Sequence, residues 1–403
     1  MLTAIKNYQL FFLICLTIQS SFGQQLNSGR IYTGAEQVDA YVDYLRGKKV
    51  AVVGNQSSVV GNQHLVDTLL ALGIQIEKVF GPEHGFRGNA SNGEHVSDEM
   101  DLATGLPIIS LYGSKKKPSE EDLFDIDIVL FDLQDVGCRF FTHINLLRDV
   151  MEACAEFDRE IMILDRPNPN GYLVDGPVLD MTLKSGIGQF PIPIAHGLTL
   201  GEFAKMVIGE NWMKNSQRCR LTIISLKNYS HDMEYIPAIS PSPNLNTSTS
   251  IYLYPSTCLF EGTILNHGRG THFPFTVLGS PKFKGTFDFN FVPQSIPGMS
   301  STPLFMDETC YGIDLRNTDI KKLKETKKLN LEWLINLYNQ YPEKEKFFDQ
   351  SFSRQIGNID YLAGTKEFKQ QIIDAVSIEE IRASWEPELS DYKKIREKYL
   401  LYP

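Results

Sequence analysis

The sequence predicts an α/β protein in which a Rossmann-like, doubly wound parallel sheet is followed by a second, smaller α+β domain. Three observations support this prediction. Between about residues 49 and 230, short apolar runs alternate with longer amphipathic stretches. Some of these runs, such as 50–53 and 161–164, are apolar at consecutive positions, as in strands that are covered on both faces of a sheet. Within residues 237–243 three prolines break every periodicity, and a different pattern follows.

Six apolar runs give the predicted strands of the first domain: 49–53, 74–80, 106–111, 126–131, 161–164 and 221–224. Helices are predicted where apolar residues recur at helical spacing, at about 66–72, 146–157 and 200–213. The last of these helices starts after Thr199, which can form a capping box with Glu202. Strand-helix-strand units of this kind join through right-handed crossovers and build a covered parallel sheet.

The region after the proline-rich connection predicts the smaller domain. Apolar and aromatic runs occupy 251–260 and 273–278, and segments rich in Gly and Pro continue to about 303. Helices are predicted at 329–338 and from 377 to the end. The predicted organisation is a signal peptide at 1–23, a Rossmann-like domain at 24–240 and an auxiliary α+β domain at 241–403.

The first 23 residues are typical of a secretory signal peptide. Lys6 gives a positively charged start, and residues 10–18 form an apolar run that is too short to span a bilayer. Ser21 and Gly23 place small residues where a signal peptidase cleaves. The sequence therefore predicts export across the inner membrane, into the periplasm.

Composition and charge exclude several classes of protein. The chain has 403 residues, of which 42% are hydrophobic, and 39 Lys+Arg stand against 49 Asp+Glu for a formal net charge of -10. This hydrophobic content excludes a disordered or collagen-like chain, and the acidic balance argues against nucleic-acid binding. No segment after residue 23 is apolar enough to cross a membrane. Because no zinc-site spacing of cysteine and histidine occurs, neither a metal nor a cofactor is predicted.

Five polar loops follow predicted strands, at 54–57, 81–88, 112–113, 132–141 and 165–171. Ligands of open parallel sheets bind beyond the carboxyl ends of the strands, where such loops converge. Neither a G-x-G-x-x-G dinucleotide fingerprint nor a G-x-x-x-x-G-K-[ST] phosphate loop is present. Asn55 and Gln56 instead offer amides that suit sugar hydroxyls or an acetamido group.

Glu83 is the leading candidate for a catalytic group. A carboxylic acid can donate a proton to a leaving glycosidic oxygen near neutral pH if apolar neighbours such as Phe80, Pro82 and Phe86 raise its pKa. A purely structural role for Glu83, as a helix cap or in an ion pair, is equally open. His84 is predicted either to orient a neighbouring group or to transfer a proton.

Glycoside cleavage normally needs a second group, either a nucleophile about 5–5.5 Å from the acid or a base about 6.5–9.5 Å away, unless the acetamido group of the substrate attacks. The candidates are Asp132, Asp135, Asp165 and Glu261. Each of them could instead be a salt-bridging or capping residue, and the sequence does not decide between these roles. We predict Asp135, together with Glu83 and His84, as the catalytic set.

A glycine-rich, basic and aromatic loop spans residues 266–273 of the second domain. Its Arg269 could hold a carboxylate, which an acidic protein needs in order to bind an anionic sugar. The alternative is a tight turn flanked by His267 and His272. Both interpretations are open from sequence.

Together these segments resemble the NamZ-like exo-β-N-acetylmuramidases, a bacterial family, over nearly all of the chain after residue 30. The resemblance rests on VGNQ at 53–56, GPEHGFRG at 81–88, FDLQDVGCRF at 131–140, LDRPNP at 164–169, EGT at 261–263 and NHGRGT at 266–271. It implies an active cleft between the two domains and release of terminal N-acetylmuramic acid from the non-reducing ends of peptidoglycan fragments. It also implies that Glu83 is the acid/base. Because muramic acid carries a lactyl carboxylate, we expect Arg139 or Arg269 at the cleft.

The predicted function is therefore that of an exo-acting glycoside hydrolase on peptidoglycan-derived sugars. A non-catalytic peptidoglycan-binding protein and a metal-dependent hydrolase are the alternatives. Phe86, Tyr112 and Phe140 are expected to form apolar walls. The residues predicted to bind substrate are Asn55, Gln56, Arg87, Tyr112, Asp132, Gln134, Arg139, Asp165, Asn168, Glu261, Asn266 and Arg269.

Overall fold

The structure is a computed structural model, and it describes residues 29–82, 85–87, 99–349 and 358–403. The predicted signal peptide at 1–23 lies outside the described residues, as do Glu83 and His84. Within the described ranges, no helix is long and apolar enough to span a bilayer. The five cysteines in these ranges are all free thiols.

A seven-stranded sheet forms the first half of the molecule. In chain order the strands of this half are β1 (Val50–Gly54), β2 (Val59–Val60), β3 (Gln63–His64), β4 (Ile76–Gly81), β5 (Glu99–Met100), β6 (Pro107–Ser110), β7 (Ile128–Asp132), β8 (Glu160–Leu164), β9 (Val174–Asp175), β10 (Ala195–His196) and β11 (Arg220–Ile224). The order in the sheet is β11-β8-β7-β1-β4-β6-β5, and all neighbours pair in parallel except β5, which runs antiparallel to β6. The predicted parallel sheet is confirmed, and its winding reverses between β1 and β7.

Helices cover both faces of this sheet. They are α1 (Val42–Leu45), α2 (Leu65–Ala71), α3 (Glu120–Leu123), α4 (His143–Glu156) and α5 (Leu200–Gly209). Successive side chains of a strand point to opposite faces, so Val50 and Val52 join the core under α2, whereas Ala51 and Val53 join the core under α4 and α5. The predicted capping box at the start of α5 is confirmed. The helix ends before the predicted residue 213 because Asn211 takes a left-handed φ of 57°.

The second half is a smaller α+β unit, as predicted. Its antiparallel sheet has the order β12-β14-β13 and consists of β12 (Val277–Ser280), β13 (Asn290–Phe291) and β14 (Cys310–Asp314). Its helices are α6 (Ser248–Thr257), α7 (Ile320–Thr326), α8 (Glu332–Gln340), α9 (Ile359–Ala363), α10 (Glu367–Ile373) and α11 (Ile378–Glu397). The aromatic run at 251–260 lies in α6 and in the 3-10 turn Cys258–Gly262 that follows it.

The two halves share one hydrophobic core. Phe140 and Ile194 of the first half pack in the same cluster as Leu253 of the second. Helix α11 returns to the first half, where the hydroxyl of Tyr392 donates to the His196 carbonyl at 2.7 Å. Since this packing fixes the halves relative to each other, a cleft between them has walls of defined shape.

Candidate active site

A cavity of about 500 Å³ lies between the two halves. Cavities of roughly 300–1,000 Å³ are typical of small-molecule sites. One side is formed by residues that follow β4 and β6 and by the start of α4, and the other by the connection after residue 240 and by the second half. The wall consists of Pro82, Leu111, Tyr112, Lys116, Phe140, Phe141, Thr142, His143, Asn145, Leu146, Asp149, Gly186, Ile187, Gln189, Pro241, Ser242, Asn244, Leu245, Tyr254, Glu261, Arg269 and Phe275.

Aromatic side chains form much of the apolar wall. Tyr254 packs edge to face against Phe140 and Phe275, with ring centroids 5.4 and 4.9 Å apart, and Phe141 also packs against its ring. Side chains of this kind offer large apolar surfaces that can cover the C–H face of a sugar ring. The predicted apolar walls Phe140 and Tyr112 both lie here.

Two asparagines of the wall have acceptors that no donor in the described residues satisfies. Asn145 donates through Nδ2 to the Gly186 carbonyl, and Asn244 donates through Nδ2 to the Met299 carbonyl, both at 2.9 Å. These bonds fix the orientation of each amide and leave both Oδ1 atoms buried without a donor. An unsatisfied buried acceptor costs about 1–3 kcal/mol. Because both Oδ1 atoms are themselves buried, neither oxygen faces the open space of the cavity.

A buried ion pair joins Glu261 to Arg269. The Nη2 and Nε atoms of Arg269 lie 2.6 and 3.1 Å from Oε1 of Glu261, and Nε2 of His267 lies 3.4 Å from the same oxygen. Burial acts to raise the pKa of Glu261, but Arg269 and His267 outweigh it and hold this pKa at about 2. Glu261 is thus ionised at neutral pH. The Nη1 atom of Arg269 has no acceptor within the described part of the chain.

The pKa of a second carboxylate of the wall, Asp149, is shifted in the opposite direction. Burial raises the pKa of Asp149, even though Nε of Arg148 lies 2.7 Å from its Oδ1 atom. Carboxylates whose surroundings push their pKa values apart are typical of sites that transfer protons. The wall therefore holds one carboxylate whose pKa is lowered, Glu261, and one whose pKa is raised, Asp149.

The structure brings three of the predicted substrate-binding residues to this cavity: Tyr112, Glu261 and Arg269. Pro82, which precedes Glu83 in the chain, also lines it. Glu83 and His84 lie outside the described residues, and their roles stay predictions.

Arg139 lies inside the protein rather than at the cavity. Its guanidinium is fully buried and donates at 2.8–2.9 Å to the carbonyls of Pro177, Ile192, Leu362 and Ala363. Burial without a neighbouring carboxylate lowers its pKa to about 9. Two of these carbonyls belong to α9 of the second half, so the hydrogen bonds of Arg139 connect the two halves. The expectation that it holds a carboxylate at the cleft does not fit this position.

Asp132 and Asp135 also face internal partners. Asp132 is fully buried, and its Oδ2 atom lies 2.9 Å from Nη2 of Arg166. Asp135 accepts from the backbone N–H of Gly137 at 2.6 Å and lies 3.7 Å from Nε2 of His196. The structure therefore does not bring Asp135, the predicted third member of the catalytic set, to the cavity.

Asp165 and Asn168 hold the start of α5 and the end of the chain against the sheet. Asp165 accepts from the Thr199 hydroxyl at 2.7 Å, the Gly201 N–H at 2.9 Å and the Tyr402 hydroxyl at 2.7 Å. Burial raises its pKa to about 6 in spite of these bonds. Asn168 donates to a backbone carbonyl just before α5 at 3.0 Å. Both side chains are occupied within the fold.

The polar side chains after β1 and β7 shape their own loops. Asn55 accepts through Oδ1 from the backbone N–H two residues on, at 2.9 Å. Gln56 donates to the Ser240 carbonyl at 3.1 Å and thereby fixes the connection between the halves. Gln134 donates to the Pro167 carbonyl at 2.7 Å. A smaller cavity of about 180 Å³ lies here, where the winding of the sheet reverses.

Three further predicted positions lie away from the large cavity. Arg87 pairs with Asp101, with Nη2 and Oδ2 2.7 Å apart. Phe86 packs in the core under α2, on the opposite face of the sheet from α4, rather than in the cavity wall. Asn266 donates to the Arg269 carbonyl at 3.1 Å and so shapes the glycine-rich loop.

Eight polar residues of the wall besides Tyr254 are absent from the predicted site: Lys116, Thr142, His143, Asn145, Asp149, Gln189, Ser242 and Asn244. Asn145 and Asp149 lie four positions apart on α4, and this spacing places polar groups on one helix face. That spacing is the sequence signal that could have found them. Lys116 lies in a run of three lysines and Asn244 in the proline-rich connection, where no motif distinguishes them.

Two family descriptions match the chain: Exo-beta-N-acetylmuramidase NamZ, N-terminal, at residues 50–249, and Exo-beta-N-acetylmuramidase NamZ, C-terminal, at residues 252–402. The chain is 36% identical over 399 residues to the peptidoglycan beta-N-acetylmuramidase NamZ of Bacillus subtilis (strain 168), which covers 95% of this chain and 94% of that protein. Crystal structures of two DUF1343 family proteins from Bacteroides fragilis NCTC 9343 are similar to the structure of this chain, with TM-scores of 0.83 and 0.78 and sequence identities of 44% and 29%. Each covers 93% of this chain and 99% of the other.

The chain is an α/β protein, and the family matches together with the Bacillus relative place it in the glycoside hydrolase class. The two family matches meet near the start of α6 and together extend over most of the chain. The chain belongs to the exo-β-N-acetylmuramidase NamZ family.

Proposed function

We propose that this protein releases terminal N-acetylmuramic acid from peptidoglycan fragments, and that the bond is cleaved in the cavity between the two halves. The observation that carries the proposal is one cavity wall that combines the aromatic rings of Phe140 and Tyr254 with the ionised carboxylate of Glu261. An N-acetylated sugar presents matching groups, namely C–H faces, hydroxyls and an amide N–H. The activity named for the Bacillus relative supports the same reaction.

In the proposed reaction Glu83 donates a proton to the glycosidic oxygen while the bond from that oxygen to the anomeric carbon breaks. Water supplies the hydroxyl that replaces the leaving group, and its remaining proton restores the acid. Pro82, which precedes Glu83 in the sequence, lines this cavity, and this supports the proposal. The described wall carboxylates available as a second group are Glu261 and Asp149, and the ionised state of Glu261 suits a charge-stabilising role.

We also propose a periplasmic location. The support is the signal-peptide pattern at residues 1–23, which is typical of exported proteins. An exported enzyme would meet peptidoglycan fragments outside the inner membrane.

We expect the protein to release free N-acetylmuramic acid from peptide-free cell-wall glycan, as detected by mass spectrometry. An exo-acting enzyme removes only the terminal residue, so chains that begin with N-acetylglucosamine serve as the matched control and should release nothing. Retention on the glycan without any released sugar would contradict catalysis and favour a binding protein. Loss of release on addition of a chelator would favour metal-dependent hydrolysis.

A further inference from the structure

We propose that Lys116 binds the carboxylate of the ligand and thereby selects muramic acid over sugars that lack a lactyl group. This inference rests on the proposed function, since it requires an anionic sugar in the large cavity. Lys116 is an exposed residue of that cavity's wall, in the loop between β6 and α3. No described carboxylate pairs with its ammonium, in contrast to the ammonium groups of the two neighbouring lysines.

Lys116 is the middle residue of three consecutive lysines, and the outer two have structural partners. Lys115 pairs with Asp122 of α3 at 2.8 Å. Lys117 pairs on α4 with Glu152 at 3.0 Å and also with Glu156. Among the described residues no carboxylate pairs with Lys116, although it belongs to the same short loop. The charges of the two outer lysines are thus balanced within the protein, whereas that of Lys116 has no described counter-charge.

The arginines near the site already have partners within the protein. Arg269 lines the cavity, but its charge is balanced by Glu261, which is ionised at neutral pH. Arg139 is buried against backbone carbonyls away from the cavity. Arg148 pairs with Asp149. Of the lysines and arginines in the described wall, Lys116 is therefore the one whose charge no described carboxylate balances.

The chemistry of lysine fits this role. An ammonium on a flexible stem can follow a carboxylate at the end of a rotatable lactyl ether, and it donates a charge-assisted hydrogen bond. N-acetylglucosamine differs from N-acetylmuramic acid by the absence of that ether. A site that gains binding free energy from the carboxylate therefore binds N-acetylmuramic acid more tightly than N-acetylglucosamine, even if all other contacts are the same.

The test compares the binding of N-acetylmuramic acid and N-acetylglucosamine by calorimetry for the wild type, Lys116→Gln and the matched control Lys115→Gln. We expect Lys116→Gln to weaken N-acetylmuramic acid binding about tenfold and to leave N-acetylglucosamine unchanged, with a smaller effect at high salt. Lys115→Gln should bind both sugars as the wild type does, because that lysine pairs with Asp122 outside the wall.

Three results would overturn the assignment: Lys116→Gln binds N-acetylmuramic acid as tightly as the wild type, both sugars weaken equally, or Lys115→Gln shows the same loss. Measuring the release of sugar from glycan with the same preparations shows whether the assignment of Lys116 or the proposed function is wrong. If the wild type and Lys116→Gln release sugar equally well at low substrate concentration, the role of Lys116 is rejected and the proposed function is retained. Carboxylate-selective binding without release by the wild type rejects the hydrolase and leaves the role of Lys116 in place.

Discussion

Glu83→Gln is expected to lower kcat on a natural disaccharide by about 10²–10⁴-fold, the usual contribution of a positioned proton donor. Glutamine keeps the size and shape of the side chain but cannot release a proton to the glycosidic oxygen. Binding of N-acetylmuramic acid should therefore stay close to that of the wild type. The measurement is steady-state hydrolysis of the disaccharide, with ligand affinity determined in parallel.

The leaving group provides an internal control for this role. A nitrophenyl aglycone departs as a stable anion and needs little protonation, so the deficit of Glu83→Gln should shrink markedly on an aryl muramide. Glu77→Gln is the matched variant, because Glu77 lies on β4 and its Oε1 atom accepts from the side chain of Gln75. Near-wild-type kcat for Glu83→Gln on the disaccharide, or an equal deficit on both substrates, would reject proton donation by Glu83.

Glu261→Gln is expected to destabilise the protein at neutral pH by about 3 kcal/mol, because it leaves the buried Arg269 without its counter-charge. The side chain of Glu261 is only 8% exposed, so solvent screens this pair weakly. The free energy of unfolding from denaturant titration measures the effect. A variant as stable as the wild type would contradict a strong interaction between Glu261 and Arg269.

The pH dependence of this loss follows from the pKa of Glu261, which is held at about 2 in the folded protein and is therefore below its ordinary value. The stabilisation is fully present above the ordinary pKa, near pH 4.5, and is lost as the pH falls through about 2. The difference between the wild type and Glu261→Gln should accordingly narrow below pH 4. Glu343→Gln is the control, since the surface lysines 282 and 346 lower the pKa of Glu343 to about 2 as well. Exposed pairs contribute little, so this control should remain close to the wild type across the same range.

The fold could be predicted from sequence because its central strands have an unambiguous pattern. β1 and β7 are buried at every position, which requires consecutive apolar residues and produces the runs seen at 49–53 and 126–131. The short edge strand β5 pairs at only two residues and has no such pattern. The end of α5 depends on a left-handed Asn211, a choice that periodicity alone does not reveal.

The site could be predicted only in part, because polar residues that follow strands can either face a ligand or form hydrogen bonds inside the fold. Asp165 follows the rule for ligand-binding loops, yet its carboxylate is occupied by Thr199, Gly201 and Tyr402. Arg139 likewise lies in a distinctive polar segment but bonds carbonyls that are far away in the chain. Whether a polar side chain faces the cleft or the interior depends on contacts across 30 to 240 residues, which local spacing does not encode. Glu261 and Arg269 reach the cavity because the second half folds over the sheet.

A crystal structure of Glu83→Gln with a bound disaccharide that ends in N-acetylmuramic acid tests the central claim most directly. The account predicts the muramic acid ring in the cavity of about 500 Å³, against Phe140 and Tyr254. A sugar bound instead in the smaller cavity beside Arg166, or outside the space between the two halves, would contradict it.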